Sequence, residues 1–341
     1  MGGRGIGKTY SALLSHYKAW KDGEAGKICY MRLTQTEIDQ SAVRVGNPYK
    51  AINRDKLLDI RFESAGKKQF EIKDYTGAEK AANGESATDG KQEVLSMGVG
   101  VALSALGSLR GVDFGDVTEL YFDEFIPAES VVRTPAIKNA GRLFTNAYET
   151  INRNRELLGA DPVRCYFTAN AFSLDSDILN TFQCVDAIQH MQKKCQTRYT
   201  DKDRSVYIEL CQAPEISAAK MQTALYKALR ADDEYLQMAV KNEFTDYVLT
   251  LLKKPPIIEY RPIMAYKNIT IYMHKSNGTL YAAKRKDTVP EGCAYDESTR
   301  GIFLDAFYFE YKTALQMRLI CFDSANTKMQ LDKALDKLSK L

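Results

Sequence analysis

The residues best suited to chemistry lie at the N-terminus, where residues 2–9 match the pattern G-x-x-x-x-G-K-[ST] at every fixed position. Glycines let the backbone curl so that successive N–H groups point at phosphate oxygens, while the lysine reaches the β- and γ-phosphates and the hydroxyl ligates Mg²⁺. A helix after the loop adds its positive N-terminal end. The pattern predicts nucleotide contacts from Gly2, Arg4, Gly5, Ile6, Gly7, Lys8, Thr9 and Tyr10. The alternative is a chance glycine-rich segment.

A second candidate group is the acidic pair Asp123-Glu124, which follows the apolar run 117–122. In nucleotide hydrolysis, the first carboxylate of such a pair binds Mg²⁺ together with the loop hydroxyl. The second orients and deprotonates the attacking water. The pair therefore predicts Asp123 and Thr9 as metal ligands and Glu124 as the catalytic base. A turn or a helix cap is the competing interpretation.

Two further polar segments have residue types that suit phosphoryl transfer. Residues 152–155 read Asn-Arg-Asn-Arg, and an arginine there could stabilise transferring charge in its own chain or in a neighbouring one. The alternative is a solvated helix end whose cations complement the helix dipole. Asn170 follows the apolar run 163–168 and could sense the γ-phosphate, or it could cap the next turn.

The elements needed to position these residues alternate along the first part of the chain. Helices are predicted over 8–20 and 138–155, with strands over 27–33, 57–62, 69–73, 117–122, 163–168 and 205–211. This alternation predicts an α/β domain with a mainly parallel sheet. An apolar strand is expected before a phosphate-binding loop, but only Met1 precedes Gly2. A late start of the chain and a true lack of that strand are both left open.

The remaining segments divide the chain into three predicted parts. Residues 76–92 are small and polar, which predicts a surface loop, and residues 215–250 have helical spacing. After Pro255-Pro256, the dipeptide Asn277-Gly278 predicts a hairpin between 269–273 and 279–283, with helices near 302–320 and 327–340. We therefore predict an ATP-binding-type α/β domain over 1–212, a helical linker over 213–250 and a small domain over 251–341.

Composition excludes several classes of protein. The 341 residues are 45% hydrophobic, with a net charge of +3 and a mean hydropathy of −0.36, which is not the composition of a disordered chain. No apolar run approaches the length of a membrane span. Seven dispersed cysteines and three separate histidines predict reduced thiols and no zinc site.

Residues 251–341 carry 15 Lys and Arg against 10 Asp and Glu. Their basic clusters, at 253–254 and 284–286, suit phosphate contacts or plain solvated surface.

In this order, the motifs resemble the DNA-packaging ATPases of phi29-like tailed phages, within the wider group of terminase large subunits. The segments that carry the resemblance are GGRGIGKTYS (2–11), CYMR (29–32), LYFDEFI (120–126), NRNRE (152–156) and VRCYFTANAFS (163–173), with a fainter similarity in NGTLY (277–281) and LICFDSANTKMQLDKAL (319–335). The resemblance implies a P-loop ATPase domain of the ASCE type, followed by a vestigial ribonuclease-H-like domain without nuclease activity.

The resemblance also implies partners and roles. It implies a homo-oligomeric ring, expected to be a pentamer, that uses ATP and Mg²⁺ to drive double-stranded DNA into a capsid. The ring would act in the host cytoplasm and transiently at the portal of the prohead, away from membranes and outside the mature virion. In phi29 a packaging RNA takes part, although nothing in this sequence shows one. Arg153 would act on the neighbouring subunit with Arg155 beside it, Arg110 would also act in trans, and Asn170 would couple the γ-phosphate to motion.

Two other functions remain open from the residues alone. The first is another P-loop NTPase or kinase, although no acceptor site with a lid is evident. The second is a non-catalytic DNA-binding or capsid-assembly protein that keeps a relic loop, a hypothesis to which the absent leading strand gives weight.

Overall fold

The computed structural model describes residues 1–3, 5–66, 68–76, 94–108, 114–127, 139–170, 174, 176–229, 236, 239–240 and 251–336. Arg4, Arg110 and nearly all of the predicted loop 76–92 lie outside these ranges. The chain divides into two compact units, one made of Met1–Phe172 with Thr197–Phe244, the other of Ser173–Gln196 with Thr245–Leu341. The predicted division at 212 and 250 stays a prediction.

The helices and strands of the described ranges are as follows. The strands are β1 (Lys27–Arg32), β2 (Ile60–Gly66), β3 (Gln69–Asp74), β4 (Leu95–Ala102), β5 (Val117–Asp123), β6 (Arg164–Thr168), β7 (Arg198–Asp201), β8 (Val206–Glu209), β9 (Tyr260–Tyr266), β10 (Ile269–His274), β11 (Leu280–Ala283), β12 (Ala294–Tyr295) and β13 (Ile320–Phe322). The helices are α1 (Lys8–Lys21), α2 (Gln35–Ala42), α3 (Lys50–Lys56), α4 (Ala140–Asn152), α5 (Asp177–Thr181), α6 (Val185–Lys193), α7 (Pro214–Met221), α8 (Ala224–Ala228), α9 (Arg300–Gln316) and α10 (Ala325–Ala334).

The main sheet of the first unit has the strand order β2-β3-β4-β1-β5-β6 within the part of the chain that is described. Strands β4, β1, β5 and β6 are parallel to one another, and β2 and β3 add an antiparallel edge. The register sets Met31 beside Phe122 and Asp123 beside Thr168, so the carboxyl ends of β1, β5 and β6 meet at one edge. The predicted α/β class with a parallel-rich sheet is confirmed.

The centre of this sheet is buried on both faces. Residues 28–31 of β1 are each at most 1% exposed, as expected for a continuous apolar run in a parallel sheet. One face packs against α1 through Leu13 and Tyr17, and against α2 through Ile38. Helix α2 begins at a reciprocal capping box, in which the Thr34 hydroxyl accepts from the Glu37 N–H and the Glu37 carboxylate accepts from the Thr34 N–H. The cap fixes the turn that directly follows β1.

Strand β4 was not predicted, because its sequence LSMGVGVA contains two glycines. Both are required by close packing. A Cβ on Gly98 would lie 2.3 Å from the carbonyl oxygen of Ile28, and one on Gly100 would lie 2.8 Å from the Phe62 ring. The two glycines therefore allow neighbouring backbone and side-chain atoms to approach β4 closely. Close approach of this kind is a known reason for glycine inside a strand.

Other predicted elements need correction. The predicted strand 205–211 is present as the shorter β8, which pairs antiparallel with β7 in a separate two-stranded sheet. Helix α4 ends at Asn152 rather than at 155, because Arg153 and Asn154 adopt left-handed backbone conformations with φ of 47° and 56°. Helix α9 ends at Gln316, since the chain turns there to enter β13.

At the N-terminus, Gly2 forms isolated parallel bridges to both Asn170 and Cys211. The Gly2 N–H donates to the Ala169 carbonyl at 3.2 Å, and the Cys211 N–H donates to the Met1 carbonyl at 2.7 Å. These bonds hold the start of the glycine-rich loop between the segment that follows β6 and the segment that follows β8. The expectation of an upstream strand stays a prediction.

The second unit is built on a mixed sheet of order β12-β9-β10-β11-β13 in the described residues. The predicted hairpin is present as β10 and β11, with Tyr272 opposite Tyr281. Helices α9 and α10 cover one face through Phe303, Phe307 and Leu331. Its kinship to a ribonuclease-H-like fold stays a prediction. In the ranges given above, no helix combines the length and apolar composition that crossing a membrane requires.

We predict that Gly98→Ala destabilises the first unit, because the new Cβ would collide with a backbone carbonyl that cannot move without shifting β1. The free energy of unfolding should fall by about 1–3 kcal/mol, as for other overpacking substitutions. Denaturant-induced unfolding measures the change.

The matched control is Gly301→Ala, at a helical glycine with no heavy atom within 4 Å of the added Cβ. It should leave stability unchanged or slightly raised, because alanine favours helices. Equal stability of Gly98→Ala and the native chain would contradict the packing argument.

Candidate functional site

The glycine-rich loop curls around its own lysine. Gly5 and Gly7 have φ of 73° and 87°, in the left-handed region that favours glycine, and Gly7 immediately precedes α1. The Lys8 ammonium donates to the carbonyl oxygens of Gly2 at 3.0 Å and Gly3 at 2.7 Å. Lys8 thus lies in the concave side of the loop with its charge directed at oxygen acceptors.

Asp123, at the end of β5, is a buried carboxylate with only 4% of its surface exposed. It accepts hydrogen bonds from the Thr9 hydroxyl at 3.1 Å, the Tyr30 hydroxyl at 3.1 Å and the Thr168 hydroxyl at 2.6 Å. The Tyr121 hydroxyl adds a fourth bond at 3.3 Å. The structure therefore brings together the two residues, Thr9 and Asp123, that were predicted as metal ligands.

Glu124 follows Asp123 and is held by a cation that was not predicted as a site residue. Glu124 adopts a left-handed backbone conformation, with φ of 51°. One nitrogen of the Arg32 guanidinium lies 2.7 Å from the Glu124 carboxylate, and another lies 3.4 Å from Asp123. Arg32 also contacts Glu37 at 3.3 Å. The arginine at the end of β1 thus joins both members of the acidic pair.

Asn170 links the loop to the acidic pair. Its side-chain oxygen accepts from the Lys8 ammonium at 3.1 Å, and its side-chain nitrogen lies 3.5 Å from the Glu124 carboxylate. The residue is 8% exposed and lies just beyond β6. A single amide therefore touches both the predicted phosphate-binding lysine and the predicted base, which is the placement expected of a residue that senses the phosphate.

Electrostatics at the site follow from burial and from the close carboxylates. Burial lowers the pKa of Lys8, against the attraction of Asp123 and Glu124, and the charge of Lys220 acts in the same direction as burial. Burial likewise disfavours the charged form of Arg32, but the neighbouring Tyr30, Asp123 and Glu124 raise its pKa overall. Arg32 is therefore a permanent cation, and it is 15% exposed.

The residues present fit a phosphate chain and a magnesium ion. A hydroxyl and a carboxylate oxygen that lie 3.1 Å apart provide the hard oxygen ligands that Mg²⁺ prefers. A lysine whose bonds now end on loop carbonyls could turn to phosphate oxygens, and a helix N-terminus follows directly. Thr9, Asp123 and Lys8 would hold these groups.

The arginine pair lies at the opposite edge of the sheet. The Arg155 guanidinium donates to the carbonyls of Phe114 at 3.2 Å and Gly115 at 2.6 Å, just before β5 begins. The seven residues of β5 separate that edge from Asp123, a span of about 20 Å at the usual rise of a strand. Arg153 is exposed beside this anchor. Arg155 is therefore anchored at the end of β5 opposite to Asp123.

The other predicted contacts are placed as follows. Ile6 packs against Gly2, and a Cβ on Gly2 would lie 2.9 Å from the backbone carbonyl oxygen of Cys211, so the small residue at position 2 is a steric requirement. Tyr10 packs against the core of the first unit. Arg4 and Arg110 lie outside the described residues.

Sequence reasoning missed Arg32, Tyr30 and Tyr121 as members of the site. Each lies on a parallel strand at or near its carboxyl end. The carboxyl ends of parallel strands meet at one edge of the sheet, so a position near the end of a strand, as for Asp123, predicts that these residues also lie there. A charged residue closing the apolar strand KICYMR is the signal that was available for Arg32.

In the second unit, Asp323 directly follows β13. Its carboxylate accepts from the Lys284 N–H at 2.9 Å and from the hydroxyls of Ser324 and Thr327 at the start of α10. This set of contacts assigns Asp323 a structural task at the helix start.

The fold is similar to that of solved phage packaging motors. The Phi-28 gp11 DNA packaging motor matches with a TM-score of 0.62 and 16% identity, over 98% of this chain and 93% of that one. The bacteriophage Phi-29 viral genome packaging motor assembly matches with a TM-score of 0.59 and 17% identity, over 98% of this chain and 94% of that one. No protein-family model and no curated protein sequence matches. The resemblance seen in the motifs is thus confirmed as a likeness of fold along nearly the whole chain.

We predict that Arg32 is energetically coupled to the acidic pair. Arg32→Met should lower the free energy of unfolding by about 2 kcal/mol, because it leaves the buried Asp123 without its cation. In a double-mutant cycle with Glu124→Gln, the coupling should be about 1 kcal/mol, since Glu124 is half-exposed and solvent screens that pair. Additive effects of the two substitutions on denaturant-induced unfolding would contradict the coupling.

Proposed function

We propose that this protein is the ATPase of a viral double-stranded DNA packaging motor. The observation that carries the proposal is the convergence of Lys8, Thr9, Asp123, Glu124 and Asn170 at one edge of a parallel sheet. The fold in which they converge is shared with packaging motors over 98% of the chain. The relic-loop alternative is disfavoured, because the side chains that hydrolysis needs are assembled and hydrogen-bonded to one another.

In this proposal, ATP lies along the glycine-rich loop with Lys8 turned from the loop carbonyls to the β- and γ-phosphates. Thr9 and Asp123 hold Mg²⁺, which neutralises charge on the phosphate oxygens when it is bound. The hydroxyls of Tyr30, Tyr121 and Thr168 keep the Asp123 carboxylate fixed in orientation. The Asp123 carboxylate, a proposed Mg²⁺ ligand, is therefore positioned before the nucleotide binds.

Glu124 accepts the proton of the attacking water. In the structure its carboxylate forms an ion pair with Arg32, which restricts rotation of the Glu124 side chain. Asn170 lies between Glu124 and Lys8, so an incoming γ-phosphate that draws Lys8 toward itself changes the surroundings of the base. Arg32 and Asn170 are thus positioning residues for Glu124.

Arg153 completes the site of a neighbouring subunit, with Arg155 anchoring its turn against the start of β5. This arrangement requires a homo-oligomeric ring, for which we propose five copies by analogy of fold. Double-stranded DNA, the portal of the prohead and a packaging RNA are the proposed partners. The second unit is proposed as a vestigial ribonuclease-H-like domain that makes contacts and cuts no DNA.

Two substitutions test the chemistry. Lys8→Ala should abolish binding of Mg-ATP, because the loop loses the cation that meets the phosphates. Glu124→Gln should retain binding but lose turnover by roughly a hundredfold or more, as expected when a general base is removed. Equilibrium nucleotide binding and phosphate release measure the two steps separately.

The matched control is Lys18→Ala on the exposed side of α1, which should change neither quantity. Full turnover in Glu124→Gln would remove the assignment of the base. Turnover of the native chain that double-stranded DNA does not stimulate would favour another P-loop NTPase over a packaging motor.

A complementation experiment tests the arginine in trans. Arg153→Ala should lower turnover by roughly 10³-fold, the effect typical of an arginine finger. Mixing it with Lys8→Ala subunits should restore activity, since those carry an intact Arg153 beside a dead loop. Arg142→Ala, an exposed arginine at the other end of α4, is the control. Failure of the mixture to regain turnover would contradict the trans role.

A further inference from the structure

A second cation lies beside the glycine-rich loop. Lys220, near the end of α7, places its ammonium 3.7 Å from the position that a Cβ on Gly5 would occupy. The same ammonium donates to the carbonyl of Ala239 at 3.3 Å, a long bond for a charged donor. Lys220 comes from a segment far along the chain from the loop and was not predicted as a site residue.

The backbone that Lys220 contacts is packed directly on the loop. A Cβ on Gly3 would lie 3.0 Å from the Ala239 carbonyl oxygen, and one on Gly2 would lie 2.9 Å from that of Cys211. The Ser217 hydroxyl donates to the Val240 carbonyl at 2.9 Å, which ties α7 to the same backbone. Lys220 therefore belongs to the wall of the site, held there by several contacts.

The positive charges of Lys8 and Lys220 together favour an anionic ligand at the loop. Lys8 is a cation in the concave side of the loop, and Lys220 adds a second positive charge beside Gly5 of the same loop. Two ammonium groups near one glycine loop repel each other, and an anion between them relieves the repulsion. A triphosphate is such an anion, and the loop is built to receive it.

We propose that Lys220 is a second phosphate-binding cation of the site, which exchanges the Ala239 carbonyl for a phosphate oxygen when nucleotide binds. This rests on the proposed function, because it presumes that the loop binds ATP. The exchange replaces a long bond to a neutral carbonyl by a bond between opposite charges, which is the stronger kind. Its contribution grows with the negative charge of the ligand.

The test compares ATP and ADP binding to Lys220→Gln, which removes the charge but keeps an N–H donor for the Ala239 carbonyl. ATP affinity should fall about 10- to 150-fold, the range typical of a hydrogen bond to a charged group. ADP affinity should fall less, and the salt dependence of ATP binding should weaken. Lys220→Arg, which keeps the charge, should recover most of the affinity.

The control is Lys227→Gln, an exposed lysine on α8 that follows α7 directly. Equal losses for ATP and ADP, or a loss that Lys220→Arg does not recover, would assign Lys220 a structural role and overturn the proposal. Loss of binding in Lys8→Ala with unchanged binding in Lys220→Gln would overturn the proposal alone. Retained binding in Lys8→Ala would instead overturn the function on which it rests.

Discussion

The site depends on one buried negative charge. Asp123 is almost completely removed from solvent, and a carboxylate in that position is unstable unless donors surround it. The donors come from separate parts of the fold: Thr9 at the start of α1, Tyr30 and Arg32 on β1, Tyr121 on β5 and Thr168 on β6. Satisfying this charge therefore fixes the relative positions of the loop, three neighbouring strands and the residues that follow them. The acidic pair, the lysine and the asparagine take up their places as a consequence.

Much of this arrangement could be read from the sequence, because one geometric rule governs it. Parallel strands end at a common edge, so Asp123, Glu124 and Asn170 were predicted to meet the loop from their positions after apolar runs. The same rule was not applied to Arg32, since an arginine after an apolar strand has many ordinary explanations. Only the three-dimensional register shows that β1 lies directly beside β5, which brings this arginine to the acidic pair.

The errors have local physical causes. Strand β4 was not predicted, and its glycines are not turn residues: Gly98 and Gly100 are required by the closeness of Ile28 and Phe62. The partner of strand β8 could not be predicted, because apolar alternation shows that a strand exists but not which strand it pairs with. Lys220 could not have been found, since nothing near it in sequence indicates that its side chain lies beside Gly5. Such long-range contacts depend on the whole fold.

The separation between the arginine turn and the loop has a consequence for how the protein is studied. Residues 153–155 lie at one edge of the sheet and Lys8 at the other, so each chain carries halves of two different sites under the proposed mechanism. Catalysis is then a property of the encounter between chains. Specific activity would rise with protein concentration and vanish on dilution, even while every individual chain remains folded and bound to nucleotide. A single folded subunit would then have no catalytic activity, so turnover rates would have to be measured on the assembled oligomer.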